Sequence, residues 1–463
     1  MSSILGLINT ESFSSDRFKN YRRTVFYYYP QGAAPLTGLL SLMREETTND
    51  PQFFWYEKRK QDQRLASAAI STTIAYYATG ITVTAAGKIS AATIAAANFS
   101  WTVDTQYAIK TAANPENIYR IGHIVKMVAT NTSAASVDIL GRINAINTAS
   151  DSPANVIGLI SIGTVANIDY DASGNVGVDI NVVGSAFAEG SVGSSNNVYT
   201  TPVNPSNYTQ IFRTAYQITG TALKTSAKYD ARGVFPDEAK EAMLNHSTEM
   251  EKGFLWGQKN QNSVTSGGVT TITRTTGGFM YYLTLWEAGS TYGNTAATTD
   301  TDDTKRIIIN SPGRLVFKTF LGYMERVWRM TNNKTAEKLA FVGSGALNIL
   351  TQMFASKVVQ MQKPPAGEVY GMELVKIILP MGTLYLKSHP LFSENPIWRS
   401  AMLIIDVPNL RYRYLNDRDT ELLRDRQPNN ADYIEHEYLT ECGLEVNFPE
   451  SGMYIQNILD WEP

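Results

Sequence analysis

The clearest periodic signal in the chain lies between residues 236 and 258, in FPDEAKEAMLNHSTEMEKGFLWGQK. Ala239, Met243, His246, Met250 and Phe254 recur three and four apart, the spacing that lines one face of an α-helix. Glu238, Glu241, Asn245 and Lys252 fall on the other side. Pro236 suits a first turn, and Asp237, Glu238 and Glu241 sit at the end where the helix dipole favours negative charge. About twenty-two residues at ~1.5 Å each predict a rod of roughly 33 Å. A second helix is predicted in GRLVFKTFLGYMERVWRMT, with Phe317, Phe320, Leu321, Met324 and Trp328 on one face and Lys318, Glu325 and Arg329 on the other. A third is predicted in GALNILTQMFASKVVQ.

Before residue 205 the period is different. Val176, Val178, Ile180 and Val182 alternate, with SGNVG at 173–177 as a turn, and IYRIGHIVKMVAT and SVDILGRI look like a hairpin joined by NTSAA. Strand patterns return near the end in GTLYLKS, SAMLIIDV, LRYRYL, YIEHEYLT and GLEVNF, where Leu444, Val446 and Phe448 share a face. A β-rich stretch, then helices, then closing strands is an α+β order, not the βαβ alternation of a parallel sheet. No repeat of fixed period is present.

Two aromatic runs interrupt the first sixty residues: Phe26, Tyr27, Tyr28 and Tyr29, then Phe53, Phe54, Trp55 and Tyr56 in NDPQFFWYEKRK. Four consecutive aromatics cannot all enter one core, in a strand or in a helix. A terminal arm packed on its own domain and an arm packed on another molecule both remain open at this point.

Composition narrows the class. The 463 residues are enough for two or three domains, and 43% hydrophobic with 18% charged is ordinary for a globular protein. Forty basic residues against forty-three acidic give a net charge of −3, without the basic stripe of a dedicated nucleic-acid binder. The single Cys442 excludes an intrachain disulfide framework and fits a reducing compartment. The N-terminus lacks the basic and apolar regions of a signal peptide, and no long uncharged apolar run predicts a membrane span, so a soluble cytoplasmic protein is expected. Residues 65–204 carry only five basic side chains: Lys88, Lys110, Arg120, Lys126 and Arg142. Such charge-poor apolar strands carry an aggregation risk unless neighbouring molecules cover them.

No catalytic constellation assembles. His436 in IEHEYLTEC lacks the second ligand of a zinc-protease helix, and alternation places it opposite Glu435 and Glu437. GITVTAAGKIS misses the phosphate-loop spacing and has Ile89 where Ser or Thr is required. FVGSGALN lacks the outer glycines of a nucleophile elbow; Gly343 and Gly345 suit a tight turn into a helix. Cys442 reads as a small buried residue, and the pairs Glu45–Glu46 and Asp302–Asp303 as solvated charge. A non-enzyme is expected, with no catalytic, cofactor or metal residue assigned. In RYRYLNDRDTELLRDRQPNNADYIEHEYLTE, Arg411, Arg413, Arg418, Arg424 and Arg426 interleave with Asp417, Asp419, Glu421 and Asp425. Surface ion pairs and a contact surface using bidentate arginine both fit this stretch.

In combination, four segments resemble the major capsid proteins of tailed bacteriophages. They are PLTGLLSLMREETTNDPQFFWYEKRKQDQR, TQIFRTAYQITGTALKTSAKYD with DEAKEAMLNHSTEMEKGFLWGQK, TRTTGGFMYYL, and LRYRYLNDRDTELL with EYLTECGLEVNFPESGMYIQNI. The resemblance covers roughly 35–64 and 205–463 and is weak over 65–204. It implies the α+β capsid fold shared with encapsulins and the herpesvirus shell floor. The implied parts are an N-terminal arm (1–64), an extended β loop with a β-rich insertion (65–204), and a peripheral domain (205–335) built on a spine helix at 236–258. An axial domain (336–410) and closing strands of the peripheral domain (411–463) complete it. It further implies pentamers and hexamers in an icosahedral head enclosing double-stranded DNA, made in the host cytoplasm. Scaffold, portal and decoration proteins would be further partners, with no membrane partner and no cofactor. Phe53, Phe54, Trp55, Tyr56, Arg418, Asp419 and Arg424 then become the candidates for subunit contact. An encapsulin-like compartment, a β-rich phage fibre or adhesin, and a carbohydrate hydrolase using scattered carboxylates are the alternatives; the long amphipathic helix counts against a fibre.

Overall fold

A computed structural model describes residues 44–59, 64–65, 76–83, 88–94, 99–101, 106–110, 115–130, 136–151, 156–163, 165–168, 178–190, 199, 201–224, 235–266, 269–288, 306–329, 331, 337–356, 361–362 and 375–462. The aromatic run at 26–29 and the turn at 173–177 lie outside the described residues. The chain forms two compact units, one of Met1–Glu57 with Asn204–Pro463 and the other of Lys58–Val203. Helices and strands are interspersed after residue 235, but most strand pairings are antiparallel and the sheets are mixed, so the architecture is α+β.

In the larger unit, the predicted long helix runs Phe235–Trp256. It buries Ala242, His246, Met250, Phe254 and Leu255, while Met243 is 54% exposed. The docked ridge is therefore the four-residue row through 242, 246, 250 and 254, which keeps His246, Met250 and Phe254 of the expected stripe and puts Ala242 in place of Met243. The small Ala242 and Gly253 let the helix lie close to its sheet, where a Cβ on Gly253 would come 3.1 Å from the Phe212 ring.

That sheet has five strands. The strand Glu45–Thr48 pairs in parallel with Leu410–Leu415, which pairs with Tyr433–Val446, which pairs with Gln210–Thr219; Glu421–Leu423 also joins Tyr433–Val446. The predicted strands YIEHEYLT and GLEVNF are one continuous strand of 14 residues, and Phe448 lies beyond it at φ +50°. Leu444 and Val446 share the predicted face, but every residue from Leu439 to Val446 is buried, so the alternation gives way to cover on both sides. On the helix side, Phe212 meets Phe254 edge-on at 6.4 Å, and Tyr412 meets Phe254 at 6.1 Å.

A seven-stranded sheet fills the rest of this unit, in the order Ile308–Val316, Met453–Glu462, Met402–Ile405, Glu337–Val342, Gly382–Ser388, Val375–Leu379 and Met361–Gln362. The helices Phe317–Arg329 and Ser344–Ser356 pack on it through Phe320, Met324, Val327, Leu350, Met353 and Phe354. The GRLV segment predicted to begin the first of these helices is instead the end of the strand Ile308–Val316. That strand and Met453–Glu462 bring chain from outside 336–410 into the same sheet.

A ribbon of Asn260–Ser266 and Val269–Thr275 follows the long helix, exposed along most of its described side chains. It returns through Thr276-Gly277-Gly278, where a Cβ on Gly278 would fall 2.7 Å from the Gly253 carbonyl oxygen. No other residue type allows this approach to the helix end.

The smaller unit holds an eight-stranded sheet in the order Arg64–Leu65, Val178–Ser185, His123–Thr130, Ser136–Ile146, Val156–Ser161, Gln106–Lys110, Tyr76–Val83 and Ile89–Ile94. The predicted hairpin is its centre, with Thr130 paired to Ser136. Val125, Ile143, Ile157, Leu159 and Ile180 are buried, and the Tyr119 hydroxyl donates to the Ile180 carbonyl at 2.9 Å. Lys88 reaches Asp151 at 2.9 Å, and with Thr148 it lowers the Asp151 pKa to about 2. Among the residues of this unit whose burial is described, Val183, Tyr199 and Ile162 stay exposed.

Candidate functional site

The strand Tyr433–Val446 lies between neighbours, so its side chains point alternately to the long helix and to the opposite, outer face. Toward the helix stand Tyr438, Thr440, Cys442 and Leu444. Burial pushes the Cys442 thiol well above its ordinary pKa, and the same cause raises the Tyr412 phenol. His246 enters this layer from the helix and meets the hydroxyls of Thr214 at 3.1 Å and Thr440 at 2.8 Å. Burial holds its pKa below the ordinary value.

Toward the outer face stand Glu437, Glu441 and Glu445, four apart, and each is almost fully buried beneath arginine. Arg213 grips Glu437 through two nitrogens, one of them Nη2 to Oε2 at 2.9 Å, and holds that carboxyl below its usual pKa. Arg418 Nε lies 3.0 Å from Glu441, whose other oxygen accepts from Thr209 Oγ1 at 3.0 Å. Arg413 places Nε and Nη2 each 2.6 Å from Glu445 Oε2. Arg411 and Arg413 both reach Glu46 at 3.0 Å. The carboxylates lie inside and the guanidiniums partly outside, which forms a charged roof over the sheet.

Residues 45–57 cross this face as a strap. Its first strand lies beside Leu410–Leu415, and Gln52–Phe54 pairs antiparallel with Ser206–Tyr208. Strand alternation then divides the aromatic run. Phe53 and Trp55 are each 5% exposed; Phe54 is 52% and Tyr56 75% exposed. Phe53 lies over Gly443, where a Cβ would come 2.8 Å from its ring, and the Arg413 guanidinium sits 6.0 Å above it. Trp55 packs 5.6 Å from Tyr282 and donates from Nε1 to Glu57 at 2.8 Å. Asn207 ties the strap's partner strand to the Gly-Gly turn and to the sheet, donating to Gly277 and Leu444 carbonyls at 2.9 and 2.7 Å.

Of the seven residues expected at subunit contacts, Phe53 and Trp55 bury their surface inside their own unit. Arg418 is paired to Glu441, and Asp419 accepts from the Tyr412 hydroxyl at 2.9 Å. Phe54, Tyr56 and Arg424 face solvent. Glu46, expected as solvated charge, bridges two arginines. The shared parity of Glu437, Glu441 and Glu445, and of Arg411 and Arg413, was a signal in the sequence that would have found the roof. Nothing in the spacing marked Asn207 or Gly443.

At the C-terminal end of the long helix, Trp256 and Trp398 stack at 4.1 Å and 12°, and Trp398 with Phe212 borders an open depression of 670 Å³. Elsewhere in this unit two ionisable pairs are buried. His389 accepts from the Leu391 amide through Nδ1 at 3.1 Å, so its Nε2 donates to Glu251 at 2.8 Å. Lys338 is buried with Asp406 at 3.3 Å and donates to the Ser451 carbonyl at 2.7 Å. Among the described residues no group of three or more His, Cys, Asp or Glu is placed to hold a metal ion, and no helix is long and apolar enough to cross a membrane.

The SU10 major capsid protein family matches residues 8–459. The curated major capsid protein of Pseudomonas phage PaMx41 is 24% identical over 245 residues, and that match spans 52% of this chain and 53% of that protein, about half of its length. Among solved structures, the cyanophage A-1(L) capsid asymmetric unit aligns at TM-score 0.39 and 12% identity, covering 59% of this chain and 85% of that one. The SrpI encapsulin complex from Synechococcus elongatus PCC 7942 aligns at TM-score 0.37 and 9% identity, covering 56% and 78%.

Proposed function

This chain belongs to the SU10 major capsid protein family, and from that premise we propose that it is the structural subunit of a phage head. Copies assemble into pentamers and hexamers of an icosahedral shell around double-stranded DNA. They are made in the host cytoplasm and end in the virion capsid. Scaffold, portal and decoration proteins are the further partners proposed. The role is structural, not enzymatic.

The observation that carries this is the family match across nearly the whole chain. The net charge of −3 supports it, because a shell wall must enclose DNA without gripping it. The exposed aromatic pair Phe54 and Tyr56 supports it as well, since aromatic side chains of ~150–250 Å² are characteristic contact anchors. Arg424 remains a contact candidate at the exposed end of the charged stretch.

The five-stranded sheet with the long helix is proposed as the peripheral domain. The seven-stranded sheet is proposed as the axial domain, now including Ile308–Val316 and Met453–Glu462, which the expected limits of 336–410 left out. The strap belongs to the N-terminal arm, and Lys58–Val203 to the extended loop with its insertion.

Negative-stain microscopy of the expressed protein tests the proposal, with closed polyhedral particles as the expected result. A non-associating monomer at high concentration would overturn it. Particles recovered from infected cells are expected to show a nucleic-acid absorbance ratio; particles rich in a protein cargo and free of DNA would favour a compartment instead.

A further inference from the structure

Phe54 at 52% and Tyr56 at 75% are more exposed than any other aromatic side chain of the larger unit whose burial is described. They stand two apart on an extended strap, so both project from one side, roughly 7 Å apart. The strap lies on the arginine-roofed face of the five-stranded sheet, as the contact of Phe53 with Gly443 fixes. The depression at Phe212, Gly253, Trp256 and Trp398 lies on the other face, beside the long helix. At 670 Å³ it falls in the range of roughly 300–1,000 Å³ typical of specific pockets.

Charge supports the match. Asp50, exposed, precedes the aromatic pair along the chain, and the depression carries exposed Lys252 on its helix side. The knob therefore offers a carboxylate where the hole offers an ammonium group. A knob on one face and a hole on the opposite face of the same sheet cannot meet within one molecule. They can meet head to tail between copies, in the heterologous geometry that closes rings when its rotation allows.

We propose that Phe54 and Tyr56 of one copy seat in the Trp256–Trp398 depression of the next. The proposal rests on the shell-forming function above and names one of its contacts. Two variants, Tyr56→Cys and Lys252→Cys, test it, because the native Cys442 is buried and silent. Mixed, co-assembled and oxidised, they are expected to give a disulfide-linked dimer absent from either variant alone. A dimer from Tyr56→Cys alone would mean a strap-to-strap contact and overturn the proposal. Parent particles that form, with no disulfide in the mixture, would overturn the contact and leave the shell function standing. Failure of the parent to form particles would overturn both. Should either variant fail to fold, Phe54→Cys with Glu249→Cys gives the same readout from the neighbouring pair.

Discussion

The two faces of the strand Tyr433–Val446 are sealed by different chemistry. Toward the helix, Thr440 meets His246, Cys442 and Leu444 are fully buried, and the rings of Phe212 and Tyr412 pack on Phe254. Away from it, Glu437, Glu441 and Glu445 are covered by arginines, with Gly443 left open for Phe53. The helix face gains from removing apolar surface from water, at ~25 cal/mol per Å². The roofed face gains little from its ions as such. Each carboxylate is buried only because a guanidinium pairs with it, so removing one partner costs more than the pair contributes. A strand can thus be buried on both sides with carboxylates roofed by arginine on one of them.

The largest effect is expected on the helix face. Phe254→Ala removes a fully buried ring and is expected to cost ~3–5 kcal/mol in urea unfolding of the unassembled chain. Loss of less than about 1 kcal/mol would mean that the helix is not the main cover of the sheet.

Next comes the opening beneath the strap. Gly443→Val is expected to displace Phe53 and cost ~1–3 kcal/mol, with faster proteolysis of residues 44–57 as its signature. Unchanged protease resistance would show that the strap is not held by this contact.

On the roof, Glu445→Ala is expected to cost ~1–3 kcal/mol because it takes the buried carboxylate from the Arg413 guanidinium, which is only 14% exposed and keeps Glu46 on its outer side. The double change Glu445→Leu with Arg413→Met is expected to cost much less than the sum of the single changes, and simple additivity would break the comparison.

The smallest effects are those of pH, and they separate the faces by position on the scale. Glu437 has its pKa depressed by Arg213, so its contribution is present above the unfolded value near ~4.3 and is lost as pH falls through the folded value. Arg213→Gln should flatten the stability slope below about pH 4.5. His246 also has a depressed pKa, so protons favour the unfolded chain once pH drops below ~6.5. His246→Gln should flatten the slope that sets in as pH falls below about 6.5 and leave the Glu437 contribution in place. Identical profiles for the two variants would remove the distinction.

Much of this was legible in the sequence. The three- and four-residue spacing gave the helix Phe235–Trp256 within two residues, and alternation gave GTLYLKS as Gly382–Ser388 and the hairpin at the centre of the smaller unit. The expected stripe held at His246, Met250 and Phe254 and failed at Met243, because periodicity sets an angle, while the choice between Ala242 and Met243 depends on which neighbour approaches. The candidate site was legible as residue types only. Four aromatics in a row announced that some must stay outside, but not which ones.

Local pattern therefore determined the element types, the α+β order and, through several long segments in combination, the resemblance to a capsid family. Those signals act between residues a few positions apart, where backbone geometry alone decides what shares a face. Only the tertiary structure decided that Phe53 and Trp55 turn inward, that Glu46 bridges Arg411 and Arg413, and that Gly443 makes room for a ring some 390 positions earlier in the chain. These contacts join strands remote in sequence, and their register is fixed by packing and hydrogen bonding across the sheet, which no local period encodes.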